Sequence, residues 1–325
     1  MAAGFRLALV ASCALLCAAA CHGALHVGYY RETCPRAEAI VRAVVAKAVR
    51  ADAGAGAGVI RMLFHDCFVE GCDASVLLDA SPANPKPEKQ ALPNNPSLRG
   101  LEVIDAAKEA VEAACPGTVS CADIVAFAAR DASDILSGHA IRFKMPAGRL
   151  DGRLSNGSQT LVDLPPPFLN LKNLTASFAA KGLSVQDMVV LSGAHSIGRA
   201  HCSAFLSDRL NKTSDMDPAF KKRLRRRCHS NGNVTVPEDV VTAAALDSQY
   251  YVNVLRHRVL LTSDAALLSS KKTKRMVRRF ARGDGRWERK FGKAMVKMAA
   301  IGVKTGGEGE VRKNCRVVNS NYGER

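Results

Sequence analysis

Arg61–Leu78, RMLFHDCFVEGCDASVLL, is the stretch on which the reading of this chain turns. A helix through Arg61–His65 sets those two side chains one turn apart, one above the other on a single face. A guanidinium that stays charged then stands beside an imidazole that titrates near neutrality. Asp66 points elsewhere, and Cys67 and Cys72 are close enough in sequence to clip the loop that follows. Within that loop Asp66, Asp73 and Ser75 offer oxygens at the spacing that suits a hard cation.

Working outward, the chain has 325 residues, of which 47% are hydrophobic, enough for a sizeable core in one or two domains. Residues 1–24, MAAGFRLALVASCALLCAAACHGA, have the build of a secretory signal peptide: Arg6, a short apolar run, then small residues near Gly23 and Ala24. The run is too short to span a bilayer comfortably, and no later stretch is apolar for long enough, so no membrane span is expected. Of eleven cysteines, Cys13, Cys17 and Cys21 fall in the signal and eight remain. An even set in an exported chain argues for disulfides, with the pairing left open by sequence alone. A zinc site wants paired ligands at short spacing, which only Cys67 and Cys72 approach. Asn156, Asn173, Asn211 and Asn233 each open a glycosylation sequon.

The formal charge is +16, concentrated at Lys221–Arg227 and Lys271–Lys293. Export argues against nucleic acid as the partner of these runs. A solvated basic face is the plain reading, and attachment to an acidic extracellular polysaccharide is the functional one.

Helical period appears over Cys34–Asp52, with Ile40, Val44 or Val45 and Ala48 on one stripe. The Gly-Ala run Ala53–Gly58 predicts a break before a helix beginning near Val59. Residues 81–98 carry five prolines and predict a loop. Leu101–Ala114 and Cys121–Arg130 read as helices, Arg149–Pro167 as a second loop, and Ser184–Ile197 as a helix capped by Ser184 and Asp187. Trp287–Ala300 is helical in period. Strand signals are few and short, and the chain reads as mostly α.

A second string, DMVVLSGAHSIGRAHC at Asp187–Cys202, ends an apolar helical face on His195. Together the two strings resemble the distal and proximal haem signatures of the secretory plant peroxidases, the class III haem peroxidases. The resemblance runs from about His26 to Asn319, where GEVRKNCRVVN matches the family's C-terminus. It implies a mostly α, two-lobed haem peroxidase fold over residues 25–325, with one haem b between a distal lobe of about 25–165 and a proximal lobe of about 166–325. It further implies His195 as the axial haem ligand and Asp264, in Thr262-Ser263-Asp264, as the carboxylate that holds the other ring nitrogen. On the opposite side His65 would serve as base and then acid toward peroxide, with Arg61 as fixed cation. Phe64 would wall the pocket, and Asn94 and Glu88 would tune His65.

Two calcium sites are implied as well. The distal one would take Asp66, Asp73, Ser75 and the carbonyls of Val69 and Gly71, with Glu88 nearby. The proximal one would take Ser196, Asp239, Thr242, Asp247 and the carbonyl of Ala245. There EDVVTAAALDSQYY departs from the family, which has a proline after the threonine and Phe-Asp-Asn before the tyrosines. The implied disulfides are Cys34–Cys115, Cys67–Cys72, Cys121–Cys315 and Cys202–Cys228. Departures also cluster at His139–Leu150, with Gly138-His139-Ala140 in place of Gly-Gly-Pro and Gly148-Arg149-Leu150-Asp151-Gly152 in place of Gly-Arg-Arg-Asp-Gly; an Arg149–Asp151 salt bridge is the expectation there.

The implied activity is reduction of hydrogen peroxide to water with one-electron oxidation of small phenolic donors, which would meet Pro165 at the rim. That places the chain in hydrogen peroxide catabolism, the response to oxidative stress and cell-wall phenolic or lignin chemistry, as a secreted monomer of the apoplast. A catalytically weak, basic wall-binding relative of the same fold is one rival reading, and a small disulfide-bonded calcium module is another.

Overall fold

The computed structural model describes residues 25–229 and 232–319, so the expected signal peptide lies outside the described residues. The first helix, α1, spans Ala37–Ala51 and buries Ala37, Val41, Val45 and Val49, four residues apart each time. The expected stripe is therefore one position off, with Ile40, Val44 and Ala48 half-buried along its flank.

The Gly-Ala run does not interrupt the chain for long. Helix α2 starts at Ala53 and runs to Phe68, with the Asp52 side chain accepting from Gly54 N at 2.7 Å as its N-cap. Glycine in a helix costs about 1 kcal/mol per residue, and here close packing offsets it. A Cβ on Gly58 would lie 2.5 Å from the Arg99 carbonyl, and one on Gly56 would lie 2.8 Å from both Leu136 and Val49. The run breaks no helix because it lets α2 press against its neighbours.

Helix α3 (Leu101–Ala114) matches its predicted span. Helix α4 (Cys121–Leu136) outruns the predicted Cys121–Arg130, because Ala132 and Leu136 continue the buried period. It packs on α1, α2 and α3. Inside the predicted loop 149–167 sits a seven-residue helix, α5 (Gly157–Asp163), started by the Asn156 cap and too short to leave a periodic signal.

The later part adds α6 (Leu171–Ala180) and α7 (Val185–Leu191), the latter opened by the expected Ser184–Asp187 capping box. A 3₁₀ turn over Ser192–Ser196 carries the chain to β1 (Arg199–His201). After α8 (Pro218–Arg227), β2 (Thr235–Pro237) pairs antiparallel with β1, aligning Pro237 with Arg199. Helices α9 (Gln249–Leu255), α10 (Thr262–Ala266), α11 (Lys271–Phe280) and α12 (Arg286–Met298) complete the set. Helices α7, α11 and α12 pack together, and one main core runs through both groups of helices. A smaller cluster gathers Phe205, Phe220, Leu224 and Leu260 around the Cys202–Cys228 bridge.

All four implied disulfides form: Cys34–Cys115, Cys67–Cys72, Cys121–Cys315 and Cys202–Cys228. The Arg149–Asp151 salt bridge does not. Arg149 is fully buried against Asp123, Nη1 to Oδ1 2.6 Å, and its Nε donates to the Ala299 carbonyl at 2.8 Å. Asp151 instead sits at the N-terminus of α4, accepting from Ala122 N at 2.8 Å, Cys121 N at 3.1 Å and Arg312 N at 2.9 Å. Unpaired donors at a helix start attract a carboxylate more strongly than a neighbour two residues away.

Replacing Arg149 by Met leaves Asp123 buried without its cation, an arrangement that costs about 3–5 kcal/mol. The expected outcome is a lower urea midpoint at unchanged slope; a midpoint equal to that of the parent chain defeats the assignment.

Candidate active site

Helix α2 delivers Arg61 and His65 to one face, and Arg61 Nε donates to His65 Nε2 at 2.9 Å. The guanidinium is fixed by three further bonds, to the Ser97 carbonyl at 2.9 Å and to the Pro93 carbonyl and Ser97 Oγ at 3.0 Å each. His65 Nδ1 lies 2.5 Å from Asn94 Oδ1, and Asn94 Nδ2 donates to the Glu88 carbonyl at 2.7 Å. That last bond orients the amide so that its oxygen meets His65. His65 therefore carries its proton on Nδ1 and holds its lone pair on Nε2. Burial, then the Arg61 charge, push its pKa well below the usual histidine value, against a smaller upward pull from Asn94. Burial lowers the Arg61 pKa to about 10, and Arg61 stays protonated at neutral pH.

The proline-rich loop that brings Asn94 here is pinned from the α5 side. Ser155 Oγ accepts from Glu88 N at 2.9 Å, and Asn84 bonds both the Arg153 carbonyl and Ser155 N. Glu88 meets Asn94 through its carbonyl and turns its carboxylate toward Ser155.

The 3₁₀ turn after α7 presents His195. Its Nδ1 lies 2.8 Å from Asp264 Oδ1, which also accepts from Tyr250 Oη at 2.7 Å. Burial opposes charge on His195, but the Asp264 carboxylate outweighs it and raises the pKa to about 9. The turn is anchored where α7 ends: Trp287 Nε1 donates to the Val190 carbonyl at 3.0 Å, and Tyr251 Oη to the Val189 carbonyl at 2.9 Å. A Cβ on Gly193 would lie 2.5 Å from Trp287 Nε1, so only glycine fits before Ala194-His195.

The Arg61 charge pulls the His195 pKa down, against the larger upward effect of Asp264. Arg61 and His195 are both set deep among protein atoms, and burial is the largest influence on each. Yet Arg61, Phe64 and Ala194 are only partly covered, and 39% of the His195 side chain is accessible. These residues therefore combine depth in the protein with accessible side-chain surface. One imidazole among them offers a free Nε2 backed by a carboxylate, the donor arrangement of an axial metal ligand, so the residues fit haem. Glu238, held beside this face by its N–H to the Gly198 carbonyl at 3.1 Å, adds a second carboxylate whose pKa burial raises to about 7.

The distal oxygens also come together. Asp66, Asp73, Ser75 and Glu88 are all buried, and Asp66 Oδ1, Asp73 Oδ2, Ser75 Oγ and Glu88 Oε2 have no hydrogen-bond partner. Burial and the crowding of like charges raise the Asp66 and Glu88 pKa values well above normal. The Lys304 ammonium lies 2.9 Å from Asp73 Oδ2, and the three oxygens left over mark a place where a cation is wanted. Among the described residues no three His, Cys, Asp or Glu side chains group as metal ligands. Ser196, Asp239, Thr242, Ala245 and Asp247 form a second group. Asp247 N donates to Ser196 Oγ at 3.1 Å, Thr242 Oγ1 to Asp247 Oδ1 at 3.2 Å, and Ala245 N to the Thr242 carbonyl at 2.9 Å. Thr242 N reaches Asp239 Oδ1 at 3.0 Å, and Asp239 Oδ2 is the orphaned buried oxygen of this group.

Pro165 is half-buried, and Asn156, Asn173, Asn211 and Asn233 are all exposed. Tyr250, Ser97, Ser155 and Glu238 are functional neighbours that the sequence reading misses. Each acts from a distant segment, and only the paired tyrosines Tyr250-Tyr251 left any mark in the sequence.

A family model described as peroxidase matches residues 41–283. Peroxidase 2 of Zea mays is 60% identical over 319 residues, covering 97% of this chain and 95% of that protein. Peroxidase 1 of Zea mays is 50% identical, with 96% and 89% covered, and Peroxidase 5 of Vitis vinifera is 49% identical, with 91% and 92% covered.

With Asp264 replaced by Asn, burial acts on His195 unopposed. Its pKa is expected to fall from about 9 to below the ordinary histidine value, read by NMR titration of the imidazole in the haem-free protein. A ring that still titrates near 9 contradicts the pairing.

Proposed function

From the premise that this chain belongs to the plant peroxidase family and is a peroxidase, we propose that it reduces hydrogen peroxide to water with small phenols as donors, using one haem b and two calcium ions. The observation that carries this reading is the pair of histidine networks, Arg61–His65–Asn94 and His195–Asp264–Tyr250, with the Arg61 charge acting on His195. His195 would hold the haem, which when bound would supply the redox chemistry for two-electron reduction of peroxide and one-electron oxidation of donors.

The protein's own part is proton handling and charge. His65 Nε2 has the lone pair to take the peroxide proton once peroxide displaces the Arg61 N–H that it accepts, and the depressed pKa keeps that nitrogen unprotonated over the neutral range. The same nitrogen then returns the proton to the departing oxygen, which leaves as water. Arg61, immobilised by Ser97 and Pro93, places fixed positive charge where negative charge builds. Asp264 holds the His195 Nδ1 proton, directs Nε2 toward the metal and makes it a better donor. Asp66, Asp73 and Ser75 with the Val69 and Gly71 carbonyls would hold the distal calcium. Ser196, Asp239, Thr242, Asp247 and the Ala245 carbonyl would hold the proximal one.

A phenolic donor is supported by the rim around Pro165. The Pro166 and Pro167 carbonyls accept from Leu169 N and Ser263 N, whereas the Pro165 carbonyl has no partner among the described residues and can accept a donor hydroxyl. Leu161, Val162 and Phe168 flank it in sequence and are exposed, Phe168 to 62%.

Four disulfides suit an oxidising exterior, and no described helix is long and apolar enough to cross a membrane. Both features favour the secreted, wall-located reading with its glycans at the exposed sequons. For an acidic wall polysaccharide the best surface is the cleft lined by Lys271, Lys272, Arg275, Arg279 and Lys290. Those side chains form no ion pairs among the described residues, so their field is free to act on a polyanion.

Two measurements test these readings. Arg61→Leu is expected to slow the peroxide reaction roughly 10²–10³-fold by stopped flow. Loss of the guanidinium also raises the His65 pKa, so the acid limb of the rate profile moves to higher pH. An unslowed reaction removes the mechanism. Replacing Lys271, Lys272, Arg275 and Arg279 by Gln should lower the salt needed to elute the protein from immobilised polygalacturonate and leave the peroxide rate unchanged. Elution at the parent's salt concentration excludes the cleft.

A further inference from the structure

Residues 298–316 fold back over the distal oxygen cluster. Cys72 N donates to the Ile301 carbonyl at 2.9 Å, Leu150 N to the Lys304 carbonyl at 3.2 Å, and Arg312 Nη2 to the Ala74 carbonyl at 2.6 Å. Contact is close enough that a Cβ on Gly71 would lie 2.2 Å from the Gly302 carbonyl. The backbone on both sides of Lys304 is therefore fixed, and its stem runs past Gly152, where a Cβ would lie 3.3 Å from Lys304 Cε and 2.2 Å from Asp73 Oδ2. Gly152 is bare because the lysine stem and the Asp73 carboxylate fill the space beside it.

Lys304 Nζ ends 2.9 Å from Asp73 Oδ2. It also donates to the Glu70 carbonyl at 3.4 Å. Lys304 thus pairs with Asp73 from the solvent side and places its charge directly at one oxygen of the cluster. The acids that act on it are Asp73, Glu70 and Asp66, and the other cation in the cluster, Arg312, is fully buried. Lys304 keeps 26% of its side chain exposed, so its ammonium has a way out to solvent.

We infer that Lys304 sets the calcium affinity of the distal cluster, opposing the ion at Asp73 and neutralising part of the acid charge when the ion is gone. The inference rests on the reading of this cluster as a calcium site. A divalent ion placed among Asp66, Asp73 and Ser75 meets a like charge at one of its own ligands, and the repulsion weakens binding. Without the ion the same ammonium is the solvent-side cation facing two buried carboxylates, and it steadies the empty loop. An ordinary surface ion pair has neither effect.

The test uses the haem-loaded protein, stripped by chelator and titrated with calcium in a calorimeter. Lys304→Met keeps the apolar stem and removes the charge. It is expected to tighten one of the two binding events roughly tenfold and to lower the melting temperature of the stripped form relative to the parent. Lys304→Arg, which keeps the charge, should stay within about twofold of the parent on the same reasoning. Calcium binding by Lys304→Met no tighter than the parent's overturns the inference. Asp73→Asn, with Ser75→Ala as the milder change, is expected to abolish the event that Lys304→Met tightens. If both variants keep full stoichiometry, the calcium reading fails and the role of Lys304 fails with it. If they lose the event while Lys304→Met shifts nothing, the role of Lys304 alone is refuted.

Discussion

A neutral imidazole offers one lone pair, and the hydrogen bond made by the other nitrogen decides which end carries it. Both histidines of this site are governed by that rule and separated by what accepts the Nδ1 proton. His65 gives its proton to a neutral amide, Asn94, and lies beside a guanidinium, so its charged form is disfavoured. His195 gives its proton to a carboxylate, Asp264, which holds the pKa up at about 9 despite burial. At neutral pH one ring is thereby kept neutral with its lone pair on Nε2, and the other is held protonated beside its carboxylate. The residue type is the same, and the partner assigns the role.

Each partner comes from far along the chain, so the fold's task is to keep distant segments in register. Asn94 is 29 residues from His65 and Asp264 is 69 from His195. The first is held because Ser155 and Asn84 tie the proline-rich loop to the start of α5. The second is held because Tyr250 shares the Asp264 oxygen, while Tyr251 and Trp287 close the end of α7. Buried charge is used in the same way. Asp123 takes Arg149, Tyr30 and Gly148 N at once, joining the N-terminal segment, α4 and the residues before Asp151. A buried carboxylate is tolerable only when so fully satisfied, which makes it a strong constraint on where its partners stand.

Features carried by local rules were legible in the sequence. The Arg61–His65 spacing, the Ser184–Asp187 cap and the span of α3 follow from periodicity and capping. The residues that pair across the site were legible through the family resemblance. What escaped is mostly non-local. Ala53–Gly58 reads as a helix breaker because propensity counts the cost of glycine and cannot see Arg99, Val49 and Leu136 pressing on that face. Arg149 and Asp151 look like partners because they are adjacent in sequence, but Asp123 and the open end of α4 compete for them and win. Ser97, Tyr250, Glu238 and Lys304 act through isolated contacts with distant segments, and such contacts leave no period to read.

Glu88 belongs to two of these systems. Its carbonyl fixes the amide of Asn94 and so the tautomer of His65, while its carboxylate faces Asp66, Asp73 and Ser75 in the oxygen cluster. Asp66 follows His65 directly in α2, so the cluster and the base are joined a second time through backbone. An unbalanced charge in the cluster therefore bears on the loop that aims His65, without any side chain of the cluster touching the ring. The resemblance to known peroxidases names both features, but their dependence follows from the geometry of one glutamate. A cation that satisfies the orphaned oxygens relieves the repulsion on the Glu88 carboxylate, and the Asn94 amide is held by the carbonyl of that same residue.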